Sequence, residues 1–167
     1  MVHELSKLLP APRIISLEGV RAKNEALQAL LDTLTRTGAI KERVEVERAI
    51  MSREVLMSTG VGYGIALPHA KIPSVQDFAI ALGVSQQGVS YSSLVDDLPA
   101  KLICMIIGPS GQQDAYLRIL AMVMRFLKSE KGKILSAFDL AEIHGLTRSY
   151  DTSEGGPARG QRDVAGA

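Results

Sequence analysis

The chain of 167 residues contains one cysteine, so it forms no intrachain disulfide and no cysteine-based zinc site. Neither sign of charge is in excess: Lys plus Arg is 19, Asp plus Glu is 18, and the net charge is +1. That balance argues against a nucleic-acid coat or a polybasic membrane anchor. No apolar run reaches the roughly 18 residues that a membrane span needs. The start, Met1-Val2-His3-Glu4, has no basic segment leading into an apolar stretch, so a secretory signal is not expected and the cytoplasm is the expected location. What is present is a hydrophobic fraction of 46% against 22% charged residues, the balance of a globular chain. A domain of about 150 residues buries nearly 70% of the surface its unfolded chain exposes, enough for one core without metal or disulfide support.

The hydrophobic patterning alternates between strand and helix. Arg13–Leu17 reads as a strand, and Ala26, Leu27, Leu30, Leu31 and Leu34 mark one face of a helix over 21–36 with Gly38 as its stop. Val46, Ala49 and Ile50 predict a second helix over 43–53. Ile65-Ala66-Leu67 is a short strand stopped by Pro68. Phe78–Val84 is a longer strand, with Gln86-Gln87-Gly88 as its turn and Val89–Tyr91 returning beside it. The unbroken run Leu102–Ile107 suits a strand covered on both faces. Tyr116, Leu117, Leu120, Ala121, Met124 and Leu127 restore helical spacing. Short helices follow near Lys131–Ala137 and Leu140–His144, the last with Asp139 as N-cap and Glu142 completing a capping box. After Thr147 the apolar period ends, so the reading is one domain over 1–147 and a disordered tail over 148–167. Interleaved strands and helices give an α/β class: a single-domain sandwich, a mixed β-sheet flanked by helices on both faces.

Gly60, Gly62 and Gly64 fall within five residues. Glycine lets backbone N–H groups approach an anion, so the cluster reads as a phosphate cradle or as a tight connection that needs positive φ. It is not a dinucleotide fingerprint, because Ile65 stands where a third glycine is required and a strand follows instead of a helix. No Gly-Lys-Ser/Thr follows, which excludes a nucleotide P-loop. A nucleotide-binding enzyme is therefore disfavoured. His69 lies just beyond the cluster. Beside a cradle a histidine serves as general base or takes a phosphoryl group on a ring nitrogen; otherwise it is an ordinary polar residue at a strand end. His3 falls in the terminus, and His144 suits the dipole at the end of the final helix. Arg53 either forks onto phosphate oxygens or is a solvated charge. Cys104, among apolar neighbours, is expected to be inert.

The string Arg53-Glu54-Val55-Leu56-Met57-Ser58-Thr59-Gly60-Val61-Gly62-Tyr63-Gly64-Ile65-Ala66-Leu67-Pro68-His69-Ala70 resembles the phosphorylation-site signature of the enzyme IIA family of the bacterial phosphoenolpyruvate-dependent phosphotransferase system. The resemblance is to the fructose/mannitol branch that includes the nitrogen-regulatory proteins, and its weaker pattern covers residues 5–147. It implies that His69 is the phosphoryl acceptor and Arg53 the site arginine, with Ser58, Thr59, Gly60, Gly62 and Gly64 as phosphate-binding or supporting residues. An HPr-like phosphocarrier would be the donor. The acceptor would be an enzyme IIB in sugar uptake, or a regulated target protein if the phosphate is a signal. No metal or organic cofactor is implied, since positioning and charge stabilisation carry phosphoryl transfer. Two positions depart from the family pattern. Tyr116 precedes Leu117-Arg118-Ile119-Leu120-Ala121 where the family usually has a second histidine, and Tyr63 stands where asparagine is common. A tyrosine donates a hydrogen bond to phosphate but brings no titratable cation. Two functions follow from the resemblance: a phosphocarrier, or a non-catalytic regulatory binding module of the nitrogen-regulatory kind.

Overall fold

The computed structural model describes residues 3–153. Its elements are α1 (Leu5–Leu8), a 3-10 turn (Ala11–Arg13), β1 (Ile14–Ser16), α2 (Lys23–Arg36), α3 (Arg43–Leu56), β2 (Gly60–Gly62), β3 (Ile65–Ala66), β4 (His69–Ile72), β5 (Ala79–Val89), β6 (Ala100–Pro109), α4 (Gln113–Ser136) and α5 (Leu140–Thr152).

The spine is the antiparallel pair β5 and β6, in register from Ala79 opposite Ile107 to Val84 opposite Leu102. Successive strand side chains point to opposite faces. Ile80, Leu82 and Val84, with Leu102, Cys104 and Ile106, join α1, α4 and α5 in one core. Ala79, Ala81, Ile103, Met105 and Ile107 meet α2 and α3 in the other. Two covered faces explain the unbroken apolar run in β6. The layers are helix, sheet, helix, with helices on both faces of a mixed sheet as the patterning implies. The sheet order is β1-β5-β6-β3-β2, and β4 also pairs with β6. β1 runs parallel to β5; β3 and β4 run parallel to β6 one after the other along its free edge. That shared edge sets the height of His69 on the sheet.

Helix α2 buries Leu27, Leu30, Leu31 and Leu34, each side chain contributing about 1.5–3 kcal/mol by leaving water. Most boundaries shift by one or two residues from the sequence reading, and four differences have a clear physical cause or move an element's end further. Gln86-Gln87-Gly88 is not a hairpin turn: β5 runs on to Val89, and its register with β6 slips between Val84 and Val89 as in a bulge, with Gly88 at φ +92°. The helix after Gly111 does not break before Lys131, because Phe126, Leu127 and Ile134 continue one buried face and outweigh the roughly 1 kcal/mol cost of Gly132. Helix α3 extends three residues beyond 53, to Leu56. The domain does not end at Thr147: α5 runs to Thr152, with Tyr150 packed on Phe126 at 5.4 Å between ring centroids. The Asp151 carboxylate accepts the Leu5 and Ser6 N–H groups at 2.7 and 3.0 Å, so it caps α1 from across the fold. The expected tail is thus corrected over 148–153, and its remainder, 154–167, lies outside the described residues. Asp139 does cap α5, accepting the Glu142 N–H at 2.9 Å, while Glu142 accepts from Phe138 at 2.8 Å.

Candidate functional site

Pro68 ends β3's run and β4 starts at His69, which lies opposite Ile106. The half-buried imidazole has a fixed tautomer: Nδ1 sits 2.6 Å from the Leu67 carbonyl oxygen. A carbonyl only accepts, so Nδ1 carries the proton and donates it. Nε2 is then left with its lone pair. Burial pulls the His69 pKa below the ordinary histidine value. The Leu67 hydrogen bond opposes that, the Arg53 charge lowers it further, and the Glu54 charge raises it. The ring is therefore neutral and nucleophilic at pH 7.

Tyr116 lies in the first turn of α4, the positive end of the helix dipole. Its ring is 5.9 Å from the His69 ring and 6.4 Å from Phe78. The side chain belongs to the core as well as to the site, being buried among Ile106, Ile119 and Val123. Burial pushes its phenol up to about 12, so it stays protonated. Arg53, in the last turn of α3, donates to the Met57 carbonyl at 3.2 Å, and its charge lowers the pKa of both His69 and Tyr116. His69 and Tyr116 are thus brought together, within reach of the Arg53 charge.

The structure also gathers residues that the sequence reading did not single out. Lys71, two residues from His69 on the same face of β4, holds its ammonium 5.6 Å over the Tyr116 ring and 2.5 Å from Gln113 Oε1. Periodicity would have found it had β4 been read as a strand. Glu54, next to Arg53, has a buried carboxylate bound to Lys23, Thr59 and Tyr91. His3 is not idle in a loose terminus; its ring packs on Phe78 at 5.3 Å. His144 sits inside α5 with Nε2 3.4 Å from the Ser6 carbonyl. Burial raises the Cys104 thiol pKa, which leaves it unreactive.

The Ser58-to-Gly64 segment differs from a cradle around His69. Ser58 Oγ donates to the Ser92 carbonyl at 2.5 Å, and the Thr59 hydroxyl is spent on Glu54 and Tyr91. Gly60 is required by close approach: a Cβ there would lie 2.2 Å from the Ser92 carbonyl oxygen. Gly62 and Gly64, at φ +84° and +76°, form the tip of the β2–β3 hairpin with Tyr63 at φ +59° between them. The Gly64 carbonyl accepts from Lys101 and Leu102, whereas His69 pairs four residues further along β6 at Ile106. At about 3.3 Å per residue the tip is some 13 Å away from His69. These two glycines therefore shape a turn, and Asp96, accepting from Tyr63 N at 2.8 Å, pins it.

Val55, Leu56 and Met57 at the end of α3 are exposed, as are Leu94 and Val95 in the loop tied to them by the Ser58–Ser92 bond. Among the described residues no helix is long and apolar enough to cross a membrane.

Residues 7–147 match the family model described as "Phosphoenolpyruvate-dependent sugar phosphotransferase system, EIIA 2". The chain is 36% identical over 139 residues to the PTS system fructose-specific EIIA component of Haloferax volcanii, covering 81% of this chain and 89% of that one. It is 28% identical over 126 residues to a nitrogen regulatory protein of Bradyrhizobium diazoefficiens, covering 75% and 81%. Its fold superposes on the crystal structure of nitrogen regulatory protein IIA-Ntr from Neisseria meningitidis with a TM-score of 0.77 at 22% identity, covering 86% and 98%.

Proposed function

The chain belongs to the EIIA 2 family of the phosphoenolpyruvate-dependent sugar phosphotransferase system, and from that premise we propose that it is a phosphohistidine carrier whose acceptor atom is Nε2 of His69. The observation that supports this reading is the Nδ1–H to Leu67 carbonyl bond at 2.6 Å. It leaves one ring nitrogen able to attack.

The donor is an HPr-like phosphocarrier. The Nε2–P bond forms as the donor's own N–P bond breaks, and the donor imidazole leaves with its electron pair. The His69 ring gains positive charge, and the Leu67 carbonyl oxygen facing Nδ1–H stabilises it. The same charge keeps the ring a good leaving group for the next transfer. Arg53 and Lys71 offset the negative charge of the phosphoryl oxygens, and the first-turn N–H groups of α4 add a favourable dipole. Tyr116 holds the imidazole by ring contact and offers its hydroxyl as a neutral donor. Ser58, Thr59 and Gly60 support the site from within the fold, and Gly62 and Gly64 shape the hairpin that leads to it. The exposed Val55, Leu56, Met57 and Leu94 form the apolar docking face for the carrier and for the acceptor, an enzyme IIB or a regulated target. Tyr116 in place of a second titratable cation favours regulation over fast sugar flux.

Incubation with enzyme I, HPr and labelled phosphoenolpyruvate tests the proposal. Acid-labile, base-stable label is expected on the wild type and not on His69→Gln; label that persists in the variant would remove His69 from its role.

A further inference from the structure

Glu54 carries a buried carboxylate in which each oxygen takes two partners. Oε2 is 2.5 Å from Lys23 Nζ and accepts the Thr59 N–H at 3.3 Å. Oε1 faces the Tyr91 hydroxyl at 2.8 Å and, closer still, the Thr59 hydroxyl. The two hydroxyls lie 2.7 Å apart, so two protons serve three contacts. Lys23 also lies 4.6 Å over the Tyr91 ring. Four separate segments meet on this one side chain: the start of α2, the end of α3, the entry to β2 and the loop after β5.

The chain of bonds does not stop at Thr59. The Thr59 carbonyl accepts the Leu67 N–H at 3.0 Å, and the Leu67 carbonyl accepts His69 Nδ1–H at 2.6 Å. We infer that Glu54 is a positioning residue for His69, acting through Thr59 and Leu67 to hold the ring in the tautomer that exposes Nε2. A buried ion pair is weak evidence for stability, since a well-packed apolar group often serves as well. Its value here is geometric: it fixes Thr59, whose carbonyl holds the N–H of Leu67, the residue whose carbonyl holds the imidazole. Glu54 also acts through its field, raising the His69 pKa against the combined effect of burial and Arg53.

The inference deepens the phosphocarrier reading and rests on it only for its kinetic arm. Nitrogen-15 NMR of the His69 ring, without any phosphoryl donor, reports the tautomer directly. The wild type is expected to be predominantly Nδ1–H. Glu54→Gln, isosteric but uncharged, is expected to raise the Nε2–H fraction severalfold. With phospho-HPr it should lower kcat about tenfold and leave KM within about twofold. Glu54→Asp should recover part of both. Thr59→Val and Tyr91→Phe each remove one hydroxyl and should shift the tautomer the same way by less. These two decide the matter if Glu54→Gln fails to melt cooperatively. Wild-type tautomer ratios in folded Glu54→Gln, or in both hydroxyl variants where it does not fold, would overturn the inference. So would a slowed transfer with an unchanged tautomer. If the wild type accepts no phosphate at all, the carrier reading fails, while the tautomer ratios still decide the role of Glu54.

Discussion

Replacing Arg53 by Gln separates charge at the phosphoryl group from support of the fold. Among the described residues the guanidinium makes one hydrogen bond, to the Met57 carbonyl at 3.2 Å near the surface. Losing that bond costs about 0.5–1.5 kcal/mol, or no more than about 6 °C in Tm for a chain of this size. Its charge matters more. One charge-assisted contact to a phosphoryl oxygen is worth about 1.5–3 kcal/mol, which slows transfer by about 10- to 150-fold. A second effect has a definite sign. Arg53 lowers the pKa of His69, so removing it lets that pKa rise toward the ordinary value of 6.5. The acid limb of the pH–rate profile should then move to higher pH, and the deficit should widen as pH falls. Arg53→Lys should recover only part of the rate, because the planar fork is lost. Stopped-flow or quenched transfer from phospho-HPr between pH 5.5 and 8, beside a melting curve, measures all of this. Wild-type rates with an unmoved acid limb would refute the role given to Arg53.

Asp151→Ala should destabilise the fold by about 2–3 kcal/mol through loss of two charge-assisted bonds to the α1 N-terminus, read as a lower Tm. Ending the chain at Thr147 should cost more, since the buried Tyr150 goes too; an unchanged Tm in either would mean that α5 does not clasp α1. Tyr116→Phe should change transfer by less than about threefold, because ring packing is retained, whereas Tyr116→His should gain rate toward pH 6 as the new imidazole charges; a large loss in the Phe variant would show that the hydroxyl is required. His69 is harder to protonate in the fold than in the unfolded chain, so stability should fall as pH drops below 6.5 and level off below the folded pKa. His69→Gln should flatten that slope in denaturant titrations across the same range; an identical slope would contradict it.

The layer order was legible because β5 over 79–84 and β6 over 102–107 carry no polar side chain and α2 is apolar on one face in three to four, two periods that read without structure. The end of α5 was not legible, since its inward positions include Thr147 and Asp151, polar residues whose partners lie at the other end of the chain. His69 and Arg53 stood out through their motif. Ser58, Thr59 and the outer glycines stood out for the same reason, but what they contact depends on the loop 90–99 and on β6, which no local pattern announces. Lys71 and Glu54 were hidden in plain view: one needs β4 to be a strand, the other needs four segments to converge.

The most direct test of the account locates the new bond. After phosphorylation by enzyme I, HPr and phosphoenolpyruvate, phosphorus-31 and nitrogen-15 NMR should place the phosphoryl group on Nε2 of His69, with Nδ1 still protonated toward Leu67. Phosphate on Nδ1, or on any residue other than His69, would contradict it.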